Sequence, residues 1–257
     1  MNNREICWNI TARCNQGCKY CHRFLYPKDL TFDENMKILN NLIDSGIKRI
    51  TWTGGEALLV DKIDKLLKLS FKNGIKNKII TNGKILTNDI IDKIYPYLDS
   101  ITLSIDSIDK ETNYILGRGV NHYSEIKRIL DYIKIKQYNV KIGINTVVCR
   151  SNLHNIEQLI GFLNSYNIYS WRIFKFMPLR ETAVLNKEKF DISMDEYNSI
   201  IKNIKLNSNI GIIDTRIQTD MEQKYILILA NGDIVMTNKG YDYKVGNALI
   251  DKVCNYI

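Results

Sequence analysis

Residues 6–22 read Ile6-Cys7-Trp8-Asn9-Ile10-Thr11-Ala12-Arg13-Cys14-Asn15-Gln16-Gly17-Cys18-Lys19-Tyr20-Cys21-His22. The β-branched run Ile6–Ile10 predicts a strand, and three cysteines spaced x3 and x2 follow it directly. A cysteine-bearing loop at the C-terminal end of a strand stands where parallel α/β folds build their active sites. Thiolates at this spacing can wrap one corner of a cubane, and soft sulfur ligands favour iron–sulfur over hard cations. A [4Fe–4S] cluster ordinarily takes four cysteines; three of them, Cys14, Cys18 and Cys21, leave one iron open to a bound molecule. The same residues also suit zinc with His22 as fourth ligand, and the loop alone leaves both readings open.

Five further strand-like runs follow: Arg49–Thr53, Lys78–Thr81, Ser100–Ile105, Val140–Val148 and Trp171–Phe176. Helical periodicity fills the gaps. Thr31 and Glu34 form a capping box ahead of a helix that Gly46 stops, Ile63, Leu66, Leu67 and Phe71 share a face ending near Gly74, and Ser193 with Glu196 opens another helix. Strands alternating with helices predict parallel pairing through right-handed crossovers. Six such units are two short of a closed eight-fold barrel, so the expected fold is α/β, an open partial (βα)6 TIM-type barrel over residues 1–205. Beyond it, Tyr225–Leu229 and Asp233–Thr237 flank Ala230-Asn231-Gly232, a hairpin signature. Residues 206–257 are expected to be a C-terminal extension closing the substrate side.

Composition sets the frame. A chain of 257 residues, 45% hydrophobic and 25% charged, is expected to be one large globular domain. The chain shows no apolar run long enough for a bilayer and no secretory signal at its polar start, so a cytoplasmic location is expected. Three of the six cysteines fall within eight residues, which reads as metal binding rather than a disulfide framework. The net charge of +8 is spread along the chain rather than striped, which argues against nucleic acid and leaves solubility or a small polyanion in a pocket. Cys7 and Cys149 read as small buried hydrophobes, and His122 and His154 as surface residues.

With Tyr20 ahead of its third cysteine, the loop resembles that of the radical S-adenosylmethionine superfamily. Thr53-Gly54-Gly55-Glu56 matches that family's Gly-Gly-Glu motif at the second strand end. Paired glycines expose backbone carbonyls and the carboxylate adds an acceptor, a set that suits a cationic amine. Asn82 in Thr-Asn-Gly, Ser104 and Asp106 in Leu-Ser-Ile-Asp-Ser, and Arg118 in Leu-Gly-Arg-Gly follow in family order. Ala57 departs from it, where the family often has proline. The resemblance implies a [4Fe–4S] cluster and S-adenosylmethionine as cofactors, with flavodoxin or ferredoxin as electron donor. It assigns Gly54, Gly55 and Glu56 to the methionine amine, Asn82 and Ser104 to the ribose and methionine portion, and Arg118 to the carboxylate. Val147, with Val148, falls near the adenine, and Tyr20 and Asp106 belong to the same cofactor-binding set.

For the substrate, the chain is most similar to viperin-like enzymes, with the GTP 3′,8-cyclase second. The cyclase's second cluster needs three C-terminal cysteines, whereas beyond residue 149 this chain has only Cys254. Trp171-Arg172-Ile173-Phe174-Lys175 resembles the viperin-like Trp-Lys-Val-Phe-Gln, Arg49-Ile50-Thr51 resembles Lys-Ile-Asn, and Tyr225-Ile226-Leu227 resembles Tyr-Leu-Ile. The resemblance thereby implies Arg49, Thr51, Arg172, Lys175 and Tyr225 as substrate contacts, Tyr225 also as a catalytic group. It further implies a monomer that dehydrates a nucleoside triphosphate to an antiviral chain terminator, without nucleic acid or membrane partners. By their residues alone, Arg172 and Lys175 also read as surface charges and Tyr225 as core. A radical enzyme modifying a peptide or another small molecule, a GTP-cyclase-like enzyme lacking the second cluster, and a zinc module are the alternatives.

Overall fold

Among the described residues, ten strands make one open sheet. The computed structural model describes residues 5–25, 28–221, 226–238 and 241–256. The strands are β1 (Glu5–Thr11), β2 (Arg49–Gly54), β3 (Lys76–Thr81), β4 (Ser100–Ser104), β5 (Lys141–Val148), β6 (Ser170–Lys175), β7 (Ile213–Arg216), β8 (Ile226–Ile228), β9 (Asp233–Asn238) and β10 (Tyr241–Asn247). The helices are α1 (Phe32–Asp44), α2 (Ile63–Lys72), α3 (Asn88–Ile94), α4 (Lys110–Leu116), α5 (His122–Lys136), α6 (Ile156–Leu163), α7 (Arg180–Leu185), α8 (Lys187–Phe190) and α9 (Met194–Asn207). Strands β1 to β7 lie side by side in chain order, all parallel. The chain then returns to the opposite edge, where β8 pairs in parallel with β1 and β8, β9 and β10 run antiparallel. The expected α/β fold and its six strands are present.

β7 was not anticipated. Its four residues, Ile-Asp-Thr-Arg, are too short and too polar to show periodicity, and only pairing with β6 makes them a strand. Both expected capping boxes form: Glu34 N–H donates to Thr31 Oγ1 at 3.3 Å and Glu196 N–H to Ser193 Oγ at 3.1 Å, each glutamate reaching back to its cap backbone. The Asn231-Gly232 turn joins β8 to β9, with Leu229 N–H donating to Asp233 O at 2.9 Å.

The strand alternation gives the two sheet faces different chemistry. Ile6, Trp8, Ile10, Ile50, Trp52, Ile79, Ile101, Leu103, Ile144, Trp171 and Ile173 are buried against helix residues such as Leu39, Leu66, Ile126, Ile129 and Leu159. Trp8 and Trp52 stack at 5.1 Å between centroids, and Trp52 Nε1–H donates to Asn77 Oδ1 at 2.9 Å. The residues between them on each strand face the barrel interior and are largely polar. No helix among the described residues is long and apolar enough to cross a membrane.

Candidate active site

The cysteine loop leaves β1 and is tied down at both ends. At its start Asp29 accepts from Ala12 N–H at 2.9 Å, from Arg13 Nε at 2.8 Å and from the Thr11 hydroxyl. Burial works to raise the Asp29 pKa, but these hydrogen bonds outweigh it and hold the carboxyl below its usual range. Farther on, Lys19 N–H donates to Leu116 O at 3.0 Å. Gly117 permits that approach, because a Cβ there would lie 2.2 Å from Gly17 O.

Cys14, Cys18 and Cys21 are half-buried free thiols. Burial pushes the Cys18 thiol up to about 11, Arg118 opposes the shift, and Cys21 and Cys14 add to it. Among the described residues no three His, Cys, Asp or Glu side chains converge tightly enough to hold a single metal ion. Three free thiols on one anchored loop are a donor set that fits a larger iron–sulfur unit, whose corners stand farther apart than the ligands of one ion.

The glycine pair is required by close packing. Gly54 has φ 134°, and a Cβ on it would lie 2.3 Å from Thr11 O; one on Gly55 would lie 2.1 Å from Arg13 O. Gly55 N–H donates to Thr11 O at 2.7 Å and Glu56 N–H to Arg13 O at 2.8 Å, so the end of β2 is clamped to the base of the cysteine loop. The Glu56 side chain turns inward. It is 1% exposed, and its carboxylate accepts from Thr81 Oγ1 at 2.8 Å, Asn82 N–H at 2.8 Å and Leu58 N–H at 3.2 Å. Burial raises its pKa against those bonds. Asn82 in turn directs its amide at the cysteine loop, donating to Asn15 Oδ1 at 2.8 Å and lying 3.7 Å from Cys14 Sγ.

Beyond the ends of β4 and β5, Asp106 is fully buried and receives the Tyr20 hydroxyl, Arg118 Nε at 2.8 Å and Val147 N–H at 2.7 Å. Arg118 Nη1 donates to Gln16 Oε1 at 3.0 Å, which leaves Nη2 without a hydrogen-bond partner among the described residues. Gln16 also donates to Arg118 O at 3.2 Å and to His122 Nδ1 at 3.3 Å, while His122 Nε2–H donates to Ser104 O at 2.8 Å. The Ser104 carbonyl can only accept, so the ring is the neutral Nε2–H tautomer. Burial, reinforced by Arg118, lowers its pKa to about 4. His122, expected at the surface, is 1% exposed and braces the rim of the site. Its context in the sequence is polar, and only the fold of α5 against the loop buries it.

Inside the barrel lies a cavity of about 600 Å³. Tyr20, Cys21, Gly54, Ser104, Asp106, Arg118 and Val147 line its rim, and Arg49, Thr51 and Arg172 its floor, so these expected residues share one space. Cys14, Cys18, Gly55, Glu56, Asn82 and Lys175 do not line it; Lys175 Nζ instead holds Asp191 at 2.7 Å. Tyr225 lies outside the described residues. Cys7, expected as core, lines the floor as a neutral thiol, its pKa pushed to about 12 by burial against the pull of Lys78 and Arg172. Lys78, Asn9, Asn145 and Thr102 also face the cavity and carried no sequence signal beyond alternation along their strands. Among the described lining residues seven Lys or Arg face three Asp or Glu, an electropositive interior.

A cysteine-loop site at the mouth of an open parallel barrel defines a class. The chain belongs to the Radical SAM superfamily, which matches residues 8–163. A protein from Flammeovirga pacifica described as an S-adenosylmethionine-dependent nucleotide dehydratase is 32% identical over 234 residues, spanning 87% of this chain and 79% of that protein. The AdoMet-dependent heme synthase of Nitratidesulfovibrio vulgaris is 25% identical over 201 residues, spanning 76% of this chain and 54% of that protein. In fold, Streptococcus suis SuiB bound to its precursor peptide SuiA superimposes with a TM-score of 0.77 at 18% identity, over 98% of this chain and 63% of SuiB. The chain is thus an enzyme, and membership settles the choice the cysteines alone left open: its cofactors are a [4Fe–4S] cluster and S-adenosylmethionine.

Proposed function

We propose that this enzyme dehydrates a ribonucleoside triphosphate to its 3′-deoxy-3′,4′-didehydro form. The observation that carries the reading is the cavity itself, which runs from the cysteine loop to a cationic floor at Arg49 and Arg172. The 32% identical nucleotide dehydratase supports the same substrate class.

Cys14, Cys18 and Cys21 hold the cluster. When bound, the reduced cluster supplies the electron that breaks the sulfur–C5′ bond of S-adenosylmethionine. The chain's own groups do the positioning. The carbonyls at Gly54 and Gly55 take the methionine amine, and Glu56 serves them from behind by fixing Thr81 and Asn82. Arg118 offers Nη2 to the methionine carboxylate while Asp106 and Gln16 hold its other nitrogens. Tyr20, Ser104 and Val147 line the space for the ribose and adenine. At the floor, Arg49, Thr51 and Arg172 meet the phosphates; arginine in place of lysine still binds phosphate, and bidentately. Residues 206–257 close the substrate side, contributing Met221, Leu227 and Thr237 to the cavity wall.

With S-adenosylmethionine held there, the 4′ hydrogen of the ribose would pass to the 5′ carbon of its adenosyl fragment, giving 5′-deoxyadenosine. The 3′ hydroxyl then leaves with a proton as water, and one further electron completes the 3′,4′ double bond. Closure against water protects each step, since a loose radical attacks its surroundings. The electron donor is a flavodoxin or ferredoxin, the enzyme works as a cytoplasmic monomer, and its product terminates viral RNA chains.

The test is anaerobic turnover with each of the four ribonucleoside triphosphates, measuring 5′-deoxyadenosine and a nucleotide lighter by one water. One triphosphate should stimulate cleavage and yield that product. Cleavage that no triphosphate stimulates would reject the nucleotide reading and favour a peptide substrate.

A further inference from the structure

Lys78 is the least explained charge in the cavity. It is the third residue of β3, paired with Thr51 of β2 on one side and Ser100 of β4 on the other. Its neighbours Asn77 and Ile79 are buried on the helix side, Asn77 bonded to Trp52 and Ser70, so alternation aims Lys78 into the barrel. A sequestered ammonium is ordinarily paired with a carboxylate. The two carboxylates whose charge acts most on it, Glu5 and Asp214, are already committed. Arg49 holds Glu5 at 3.0 Å, while Arg172 and Arg216 share Asp214 at 2.6 and 2.9 Å. Cys7, across the floor, is a neutral thiol. Among the described residues Lys78 therefore has no ion-pair or hydrogen-bond partner. Burial, with Arg172 second, lowers its pKa to about 8, as expected of a cation lacking an anion.

Depth says which part of a ligand would reach it. Lys78 lies four residues before Asn82, which touches the cysteine loop. At a rise of about 3.3 Å per residue it sits roughly 13 Å below the cofactor end. A substrate whose reacting carbon faces the cofactor meets Lys78 only with its far end.

We propose that Lys78 contacts the terminal phosphate of the substrate and sets this enzyme's preference for a triphosphate over shorter phosphate chains. The inference rests on the nucleotide reading above. A bland alternative, a solvated lysine tolerated in an open cavity, leaves unexplained why Arg49, Lys78 and Arg172 converge at a floor where, among the described residues, no carboxylate, Asp99 included, bonds Lys78. A terminal phosphate supplies the missing acceptor as a charge-assisted hydrogen bond between Nζ and a phosphate oxygen.

The experiment compares the parent enzyme with Lys78→Met, Lys78→Gln and Lys78→Arg, reconstituted anaerobically and titrated with the tri-, di- and monophosphate of the preferred nucleoside. Lys78→Met and Lys78→Gln should raise the triphosphate KM about 10- to 100-fold with kcat largely kept, and erase the preference over the diphosphate. Lys78→Arg should restore much of it. The thermal midpoint of Lys78→Met should stay level or rise, because an uncompensated charge is removed, which separates a lost contact from a lost fold. An unchanged KM and unchanged preference in both neutral variants would overturn the role of Lys78 while leaving the dehydratase reading intact. A parent enzyme that acts on no nucleotide would overturn both.

Discussion

At the rim of the cavity Asp106 is surrounded by donors from Tyr20, Arg118 and Val147, whereas at the floor Lys78 has no acceptor among the described residues. The rim is a linked network: Glu56, Gln16, His122 and Ser104 are each bonded to a neighbour near the cysteine loop or the strand ends. The floor is open, with guanidinium and ammonium groups on three strands sharing two committed carboxylates. The difference separates two tasks. A rim braced by its own hydrogen bonds, with Arg118 Nη2 left to a ligand, holds its geometry before anything binds, which suits a radical that must be generated in one place. A floor with excess positive charge is completed by its ligand, so it selects that ligand.

Breaking the rim at its centre has the largest expected effect. Cys14→Ala, Cys18→Ala and Cys21→Ala should each abolish 5′-deoxyadenosine release and lower iron and acid-labile sulfide content. Nucleotide affinity by equilibrium dialysis should persist if the floor is independent of the rim. Next comes Asp106→Asn, which leaves Arg118 buried without its counter-charge; its side chain is only 9% exposed. Denaturant unfolding should show a loss of about 3–5 kcal/mol.

A pH series sharpens the contrast further. His122 has a folded pKa of about 4 against 6.5 for a free histidine, so the unfolded chain takes up its proton first as pH falls. The stability it secures is complete above pH 6.5 and is lost as pH falls to about 4, roughly 3 kcal/mol at 1.36 kcal/mol per unit. His122→Gln should flatten that part of the stability curve, and a slope unchanged in the variant would assign the loss elsewhere. The smallest effects belong to the floor's flanks. Arg172→Met should raise the triphosphate KM about tenfold by removing one phosphate fork. Lys175→Met should move it by less than about twofold, since its ion pair with Asp191 stands off the cavity.

The same contrast explains what could be read from the sequence. The rim was legible because its requirements are local and chemically narrow: cysteines at fixed spacing, and glycines where Thr11 O and Arg13 O leave no room for a Cβ. The six parallel strands were legible from alternation and capping. The floor was not. In Lys76-Asn77-Lys78 both lysines look like solvated charges, and only the pairing of β3 between β2 and β4 decides that one faces the barrel. Cys7 and His122 were misplaced for the same reason, since an isolated polar residue takes its burial from partners remote in the chain. β7 escaped because four residues, three of them polar, carry no period.

The most direct measurement uses the preferred triphosphate deuterated at the ribose 4′ carbon, with mass analysis of the 5′-deoxyadenosine formed. The expected result is deuterium in 5′-deoxyadenosine together with a nucleotide lighter by water and the label. Unlabelled 5′-deoxyadenosine alongside an intact nucleotide would contradict the account, because the radical would then have taken its hydrogen elsewhere.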